Sequence, residues 1–450
     1  MKKVMFLLFC FIICSCSSVA DETKRKPNII LIMADDFGYE CVGANGGESY
    51  KTPYLDKMAK TGLRFEHCYS QPICTPSRVK IMTGKSNARN YVAFGVLDPK
   101  QVTFANLLKK AGYKTCVVGK WQLKGGFEGP NKFGFDEYCL WQLTRRPGYP
   151  PKPESAMRFN NPGLEINGKA VDYTNGEYGP DVVSDFACKF MEKNKDKPFL
   201  VYYPMILTHC PFIPTPDSKD WDPKSRGSKT YKGKAKYFGD MVNYMDKIIG
   251  KIVKKVDDLG LSDNTIIIFT GDNGTDAPVV SMMNGKKVIG GKGRMDDTGN
   301  HVPLIVKWKG KSPQGKVLQD IVDFSDMLPT LCEAAGVEIP KDIDGVSFLP
   351  QIKGEKGTPR ESIYMWYSRS GKGGYREFAR NQRYKLYGTG KFFDIKNDPN
   401  EKSPVTDLTD DQKAVKKMLQ AKLDDFKDAR PAHLKMTGKK PKKKKKTKKK

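Results

Sequence analysis

Asn28-Ile29-Ile30-Leu31-Ile32-Met33-Ala34 is an apolar run with no alternation in it. A strand with one wet face reads apolar and polar by turns. An unbroken run therefore predicts a strand covered on both faces, as in a parallel sheet flanked by helices. Thr265 to Thr270 repeats the pattern. Further strands are predicted at 63–69, 114–119, 199–203 and 302–306, with a helix-like stretch from Pro53 to Thr61. This alternation over 450 residues predicts an α/β fold with a large central mixed, mostly parallel sheet flanked by helices.

The two long apolar runs both end in oxygen-bearing side chains. The first leads into Asp35-Asp36 and the second into Gly271-Asp272-Asn273-Gly274. In open α/β sheets ligands gather at the carboxyl ends of the strands. If the two strands lie side by side, Asp35, Asp36, Asp272 and Asn273 form an all-oxygen set that favours Ca²⁺ or Mg²⁺ over zinc. The chain has only four histidines, so a zinc site built on several of them is hard to assemble. His67, in a strand, and His433, near the end, read as structural or solvated, and His301 carries no assigned role. His209, in Thr208-His209-Cys210-Pro211 after a strand, is a candidate site residue.

Between these elements lies Cys74-Thr75-Pro76-Ser77-Arg78, closed by Thr83-Gly84. Pro76 can open a helix, because its missing N–H costs nothing in the first turn, and the free N–H groups there favour an anion. Arg78 lies one turn beyond Cys74, near enough to hold the same group. Lys120, in Gly119-Lys120-Trp121-Gln122-Leu123, and Lys292, in Gly290-Gly291-Lys292-Gly293, are further cations placed to approach an anion as point charges.

The N-terminus predicts export. Lys2-Lys3 precede an apolar run from Val4 to Cys14, too short for a permanent membrane span. Residues 1–16 read as a signal segment of lipoprotein type, with Cys16 as the candidate lipid anchor and a periplasmic or cell-surface location. The other eight cysteines show no paired spacing and make no disulfide framework or zinc ribbon. The formal charge is +27, and setting aside the ten lysines from Lys439 to Lys450 leaves +17. Such a body attracts polyanions. Export excludes nucleic acid and leaves a sulfated polysaccharide or an anionic surface. Residues 431–450, lysine-rich and without aromatics, are expected to be a disordered tail.

In their order, and across nearly the whole mature chain, these elements resemble the type I sulfatases, the formylglycine-dependent branch of the alkaline phosphatase superfamily. The resemblance implies a catalytic domain over 25–355. It also implies a C-terminal α+β subdomain over 356–430, with an antiparallel sheet and a terminal helix from Asp410 to Lys427. Arg383-Tyr384-Lys385-Leu386, Phe392-Phe393-Asp394-Ile395 and Asn397-Asp398-Pro399 carry that part of the likeness.

For the site, the resemblance implies oxidation of Cys74 to formylglycine by a formylglycine-generating or radical maturase. It implies a cation, Ca²⁺ with Mg²⁺ as the alternative, held by Asp35, Asp36, Asp272, Asn273 and the modified Cys74, and sulfate held by Arg78, Lys120, His209 and Lys292. The hydrated aldehyde would offer one hydroxyl to attack sulfur and a second whose proton loss expels sulfate, while His209, with Lys292 second, protonates the leaving oxygen.

One departure concerns Gln122, which stands where the family usually has a histidine. Glutamine can hydrogen-bond a hydroxyl but cannot take its proton at neutral pH. Another is Asp297 to His301, which loosens the pattern after Lys292 and reads as a packing loop. The expected activity is hydrolysis of sulfate esters of a carbohydrate, with Arg145-Arg146 and the stretch Tyr138 to Tyr149 as candidate contacts. A phosphodiesterase or phosphonate hydrolase of the same superfamily, and a non-catalytic polyanion-binding homologue, are the alternatives. A purely adhesive lipoprotein would leave the metal and sulfate residues without a use.

Overall fold

The computed structural model describes residues 25–141, 158–225, 227–371 and 374–434. The signal segment with Cys16, the Arg145-Arg146 stretch and the lysines from 439 onward lie outside them. No helix among the described residues is long and apolar enough to cross a membrane.

Among the described residues, twelve strands precede the C-terminal region: β1 (Asn28–Ala34), β2 (Leu63–Tyr69), β3 (Lys114–Lys120), β4 (Glu137–Trp141), β5 (Gly163–Ile166), β6 (Lys169–Asp172), β7 (Phe199–Pro204), β8 (Thr265–Gly271), β9 (Val280–Met283), β10 (Lys286–Ile289), β11 (Leu304–Trp308) and β12 (Lys316–Asp323). Ten form one sheet in the order β12-β2-β11-β8-β1-β7-β3-β4-β5-β6, while β9 and β10 make a separate hairpin. The four strands β8, β1, β7 and β3 run parallel at the centre, so their carboxyl ends share one edge. The sheet is mixed because β11 is antiparallel to both β2 and β8 and because β5 is antiparallel to β4.

The unbroken apolar run of β1 has a direct cause. Ile29, Leu31 and Met33 join the core on one face of the sheet, and Ile30, Ile32 and Ala34 join the core on the other. The helix Phe238–Asp258 covers the second face with Met241, Met245, Ile248, Ile249 and Ile252, at the three- and four-residue spacing of a helical stripe. The helices Cys74–Thr83, Phe104–Lys110 and Met327–Ala334 cover the first.

Several boundaries differ from those read in the sequence, the terminal helix ending at Asp424 rather than Lys427 among them, and two of the shifts have a clear cause. The last sheet strand before β12 starts at Leu304 rather than 302, since Pro303 has no N–H to give to the ladder. The helix expected to open at Pro76 opens at Cys74, with Ile73 in an extended conformation before it. Pro76 is then its third residue, still among the positions whose N–H has no intrahelical partner.

The C-terminal region is an antiparallel meander, β13 (Ile363–Tyr367), β14 (Arg376–Arg380), β15 (Tyr384–Tyr387) and β16 (Phe392–Asp394), with a terminal helix Asp410–Asp424 capped by Thr409 and Gln412. Met365, Phe378 and Tyr367 pack with Tyr69, Ile73 and Met295 of the large domain. Arg380 pairs with Asp297, and its guanidinium lies 3.9 Å from the centre of the Tyr69 ring. His301 stacks on Tyr39, 4.1 Å between ring centres. The segment Asp297 to His301 is thus a packing element between the two sheets.

Candidate active site

The parallel register sets Ala34 of β1 beside Gly271 of β8, so Asp35-Asp36 and Asp272-Asn273 leave the sheet as neighbours. The Asp36 amide donates to Asp272 Oδ1 at 3.0 Å, and Asn273 Nδ2 donates to Asp36 Oδ1 at 2.8 Å. Strand β3 ends in Lys120, whose Nζ lies 2.6 Å from Asp35 Oδ2. A Cβ at Gly119 would sit 2.1 Å from the Pro204 carbonyl oxygen, so only glycine, here at φ +105°, lets β3 bring Lys120 this close to β7. Beyond β7, His209 Nε2 lies 3.7 Å from Asp36 Oδ2, and Lys292 Nζ approaches the same oxygen at 2.6 Å. Arg78 fastens the Cys74 helix to two strand ends, donating to the Lys120 carbonyl at 2.8 Å and to Asp272 Oδ2 at 3.2 Å.

Charge in this cluster is paired but not quenched. Burial, reinforced by Asp35, pushes the Asp272 carboxyl up to about 8 against the pull of Arg78 and Lys120. Burial also raises Asp36, despite Lys292. Asp35 is held below the ordinary carboxylate range because Lys120, Arg78 and Lys292 together outweigh its burial. Asp35 Oδ1 and Asn273 Oδ1 are buried with no hydrogen-bond partner. Oxygens of Asp35 and Asp36 and a ring nitrogen of His209 lie within 4.8 Å of one another. Orphaned oxygens beside carboxylates that burial makes costly to ionise are a donor set that a hard divalent cation fits.

Cys74 heads a helix whose ten residues are all buried. Burial raises its thiol pKa, while Lys120 and Lys292 oppose the rise, so the unmodified side chain is a protonated thiol and a poor nucleophile. It opens on a cleft of about 810 Å³ lined also by Lys120, Gln122, His209 and Lys292. Gln122, at φ +56°, accepts from the Thr75 hydroxyl at 3.4 Å, so its link to Cys74 runs through the next residue. His209 Nδ1 lies 2.6 Å from the Cys210 carbonyl oxygen, which fixes the ring proton there. Burial, then Lys292, Lys120 and Arg158, hold the His209 pKa well below its ordinary value, so the ring is neutral.

The residues expected to hold the cation and the sulfate are thus in one place: acids and asparagine at the floor, lysines and histidine around them, Cys74 and Gln122 at the wall. Arg158, Trp141, Tyr231, Arg369 and Arg376 also line the cleft and carry no motif. Tyr231 follows no strand, Arg376 opens β14 of the small sheet, and Arg369 lies in the connection between β13 and β14. Only Trp141 fell within a stretch marked beforehand as a candidate contact.

A family model described as sulfatase matches residues 27–337, and one described as N-sulphoglucosamine sulphohydrolase, C-terminal, matches residues 290–429. Arylsulfatase A of Homo sapiens is 31% identical over 385 residues, covering 76% of this chain and 71% of that protein. The N-acetylgalactosamine-6-sulfatase of Canis lupus familiaris is 31% identical over 382 residues, covering 77% and 69%. The solved structure of Ps i-CgsB in complex with k-i-k-neocarrahexaose is 29% identical and matches with a TM-score of 0.73 over 90% of this chain and 94% of that one.

Proposed function

The chain belongs to the sulfatase family, and on that premise we propose that it is an exported enzyme that hydrolyses sulfate esters of a sulfated oligosaccharide or polysaccharide, with Cys74 as the precursor of its nucleophile. The observation that carries this reading is the meeting of Cys74, Lys120, Lys292 and His209 on one cleft above the buried Asp35, Asp36, Asp272 and Asn273. When present, formylglycine at position 74 supplies an oxygen nucleophile, and a divalent cation held by those four residues supplies positive charge beside it.

The remaining work falls to the chain itself. Lys120 and Lys292 face the cleft and stabilise the oxygens of the sulfate as negative charge shifts onto the leaving group. Arg78, committed to Asp272 and to the Lys120 carbonyl, acts as a positioning residue that locks the helix of Cys74 to the strand ends.

His209 is assigned the proton for the leaving oxygen. Its Nε2 is the free edge of a neutral ring, so it must take up a proton as the anion enters. His209→Ala should cost about 10²- to 10⁴-fold in kcat/KM on an alkyl sulfate, and far less on 4-nitrophenyl sulfate, whose leaving group needs no acid. Equal losses on both would move the acid role to Lys292. For Gln122, which orients a hydroxyl but takes no proton, Gln122→Ala should lower kcat about tenfold with KM little changed. Gln122→His should retain or raise it, and an inert response to both would remove residue 122 from the chemistry.

A carbohydrate substrate is supported by the volume of the cleft and its cationic rim, Lys232, Arg294, Arg369 and Arg376. It is also supported by the relative that acts on N-acetylgalactosamine 6-sulfate and the neighbour seen with a carrageenan oligosaccharide. The deciding experiment is a peptide mass at Cys74 from cells that carry a formylglycine-forming enzyme, followed by paired assays on sulfated oligosaccharides and phosphate esters. A thiol converted to aldehyde with turnover of sulfates over phosphates is expected. Full conversion with no sulfate turnover would overturn the reading.

A further inference from the structure

Three arginines are buried among the described residues, Arg78, Arg158 and Arg380, and they are not in the same situation. Arg78 faces Asp272 and Arg380 faces Asp297. The buried lysines follow the same rule: Lys80 with Asp323, Lys120 with Asp35, Lys385 with Glu401. Arg158, only 2% exposed, has no carboxylate partner among the described residues, and its Nε has no hydrogen-bond acceptor.

The one nitrogen near it offers no acceptor either. Arg158 Nη1 lies 3.3 Å from His209 Nδ1, but that nitrogen already gives its proton to the Cys210 carbonyl at 2.6 Å. Two donors therefore face each other. The flat side of the guanidinium rests on Trp141, 4.5 Å from the ring centre, which holds it in place without satisfying its N–H groups. A buried cation without a counter-charge is strongly unfavourable. Here its surroundings are not closed, because Arg158 lines the same cleft as Cys74, Lys120 and Lys292.

The imidazole of His209 separates this cation from the acid cluster. Its Nε2 edge faces Asp36 and its Nδ1 edge faces Arg158. A sulfate held between Lys120 and Lys292 is thus on the other side of that ring from Arg158. We propose that Arg158 receives a second anionic group of the substrate, a sulfate or a carboxylate on the same or the adjoining sugar, so that the preferred substrate carries at least two acidic groups. A planar guanidinium with its edge free and its face stacked is suited to the paired oxygens of either. The inference rests on the sulfatase reading for the identity of the first group.

The test compares three probes on the matured enzyme: a singly sulfated hexosamine, the same sugar with two sulfates, and a singly sulfated disaccharide containing a uronate. The parent should favour one of the two diacids at least tenfold in kcat/KM, and which one tells sulfate from carboxylate. Arg158→Ala should remove about tenfold to a hundredfold of that, chiefly through KM, with a clearly smaller loss on the singly sulfated probe, and Arg158→Lys should recover part. Arg158→Met, which keeps bulk and removes the unpaired charge, should raise the thermal midpoint. Equal losses on all three probes, or a fall in the Arg158→Met midpoint, would show a residue that merely props His209 and would overturn the proposal.

Calorimetric binding of the diacid probes to the Cys74→Ala chain separates this inference from the one beneath it. Binding that weakens at least tenfold on Arg158→Ala, while the matured parent with Cys74 intact hydrolyses no sulfate ester, leaves the anion site standing and removes the sulfatase reading. Binding indifferent to residue 158, or no binding of either diacid, removes the anion site.

Discussion

Cys74→Ala should abolish sulfate ester hydrolysis, lowering kcat by about 10⁴- to 10⁶-fold, the range seen when a nucleophile that acts as one unit with its neighbours is deleted. The same substitution should shift the thermal midpoint by no more than about 2 °C, since it removes one small apolar atom whose only large interaction is its own burial. Cys74→Ser is the sharper variant. Serine supplies a hydroxyl of the right size but one oxygen only, so it can be sulfated once and has no second hydroxyl with which to expel the sulfate. A single slow turnover followed by a stable mass increase at residue 74 is the expected record. Sustained turnover by Cys74→Ala would place the nucleophile elsewhere.

Divalent cation should raise the thermal midpoint, and the increment should grow as pH rises from 5 to 8. The sign follows from Asp272. Its folded pKa of about 8 stands above its value of 3.8 in the unfolded chain, so without cation the folded state keeps a proton that the unfolded state has lost. The stability tied to that proton is whole at pH 4 and is lost as pH climbs to about 8. Asp36 is raised in the same direction, while the depressed Asp35 exerts its effect only below 3.8. A bound cation replaces the proton, so binding tightens where the proton would otherwise be lost. At a hundredfold excess over Kd the cation contributes about 2.7 kcal/mol. Asp35→Asn should erase most of the increment and also lower the cation-free midpoint, because the buried Lys120 then loses its carboxylate partner. Calorimetry with chelator and with added Ca²⁺ or Mg²⁺ at three pH values reads both. An increment that shrinks with pH would contradict the assignment of these carboxylates to a cation.

Much of this site was legible in the chain because strand ends are where sequence and chemistry touch. An unbroken apolar run says that a strand is central, and the residue that ends it must then lie at the rim of the sheet. Asp35, Asp272 and Lys120 were found that way, before any pairing of strands was known. The pairing of β1 with β8, on which the cation set depends, was only conditional in the sequence, since nothing in 230 intervening residues fixes which strands adjoin. Arg158 was not legible at all. Its meaning lies in the carboxylate it lacks among the described residues, and a missing partner has no signature in a linear string. Arg369 and Arg376 escaped for another reason: they reach the cleft from a separate sheet, through packing of Met365 and Phe378 against Ile73 and Tyr69, contacts that no local pattern encodes.

The burial of the whole helix Cys74–Thr83 sets a schedule for the molecule. Its first residue is 2% exposed, and its backbone is walled in by the sheet on one side and by Arg78, threaded to two strand ends, on the other. No second enzyme can draw this segment into its own active site without undoing that wall. On the reading of Cys74 as a nucleophile precursor, an enzyme that alters the thiol would have to act between synthesis and collapse, when residues 74 to 84 are still a bare strip of chain. A molecule that folded first would then be finished in shape and without its reactive group.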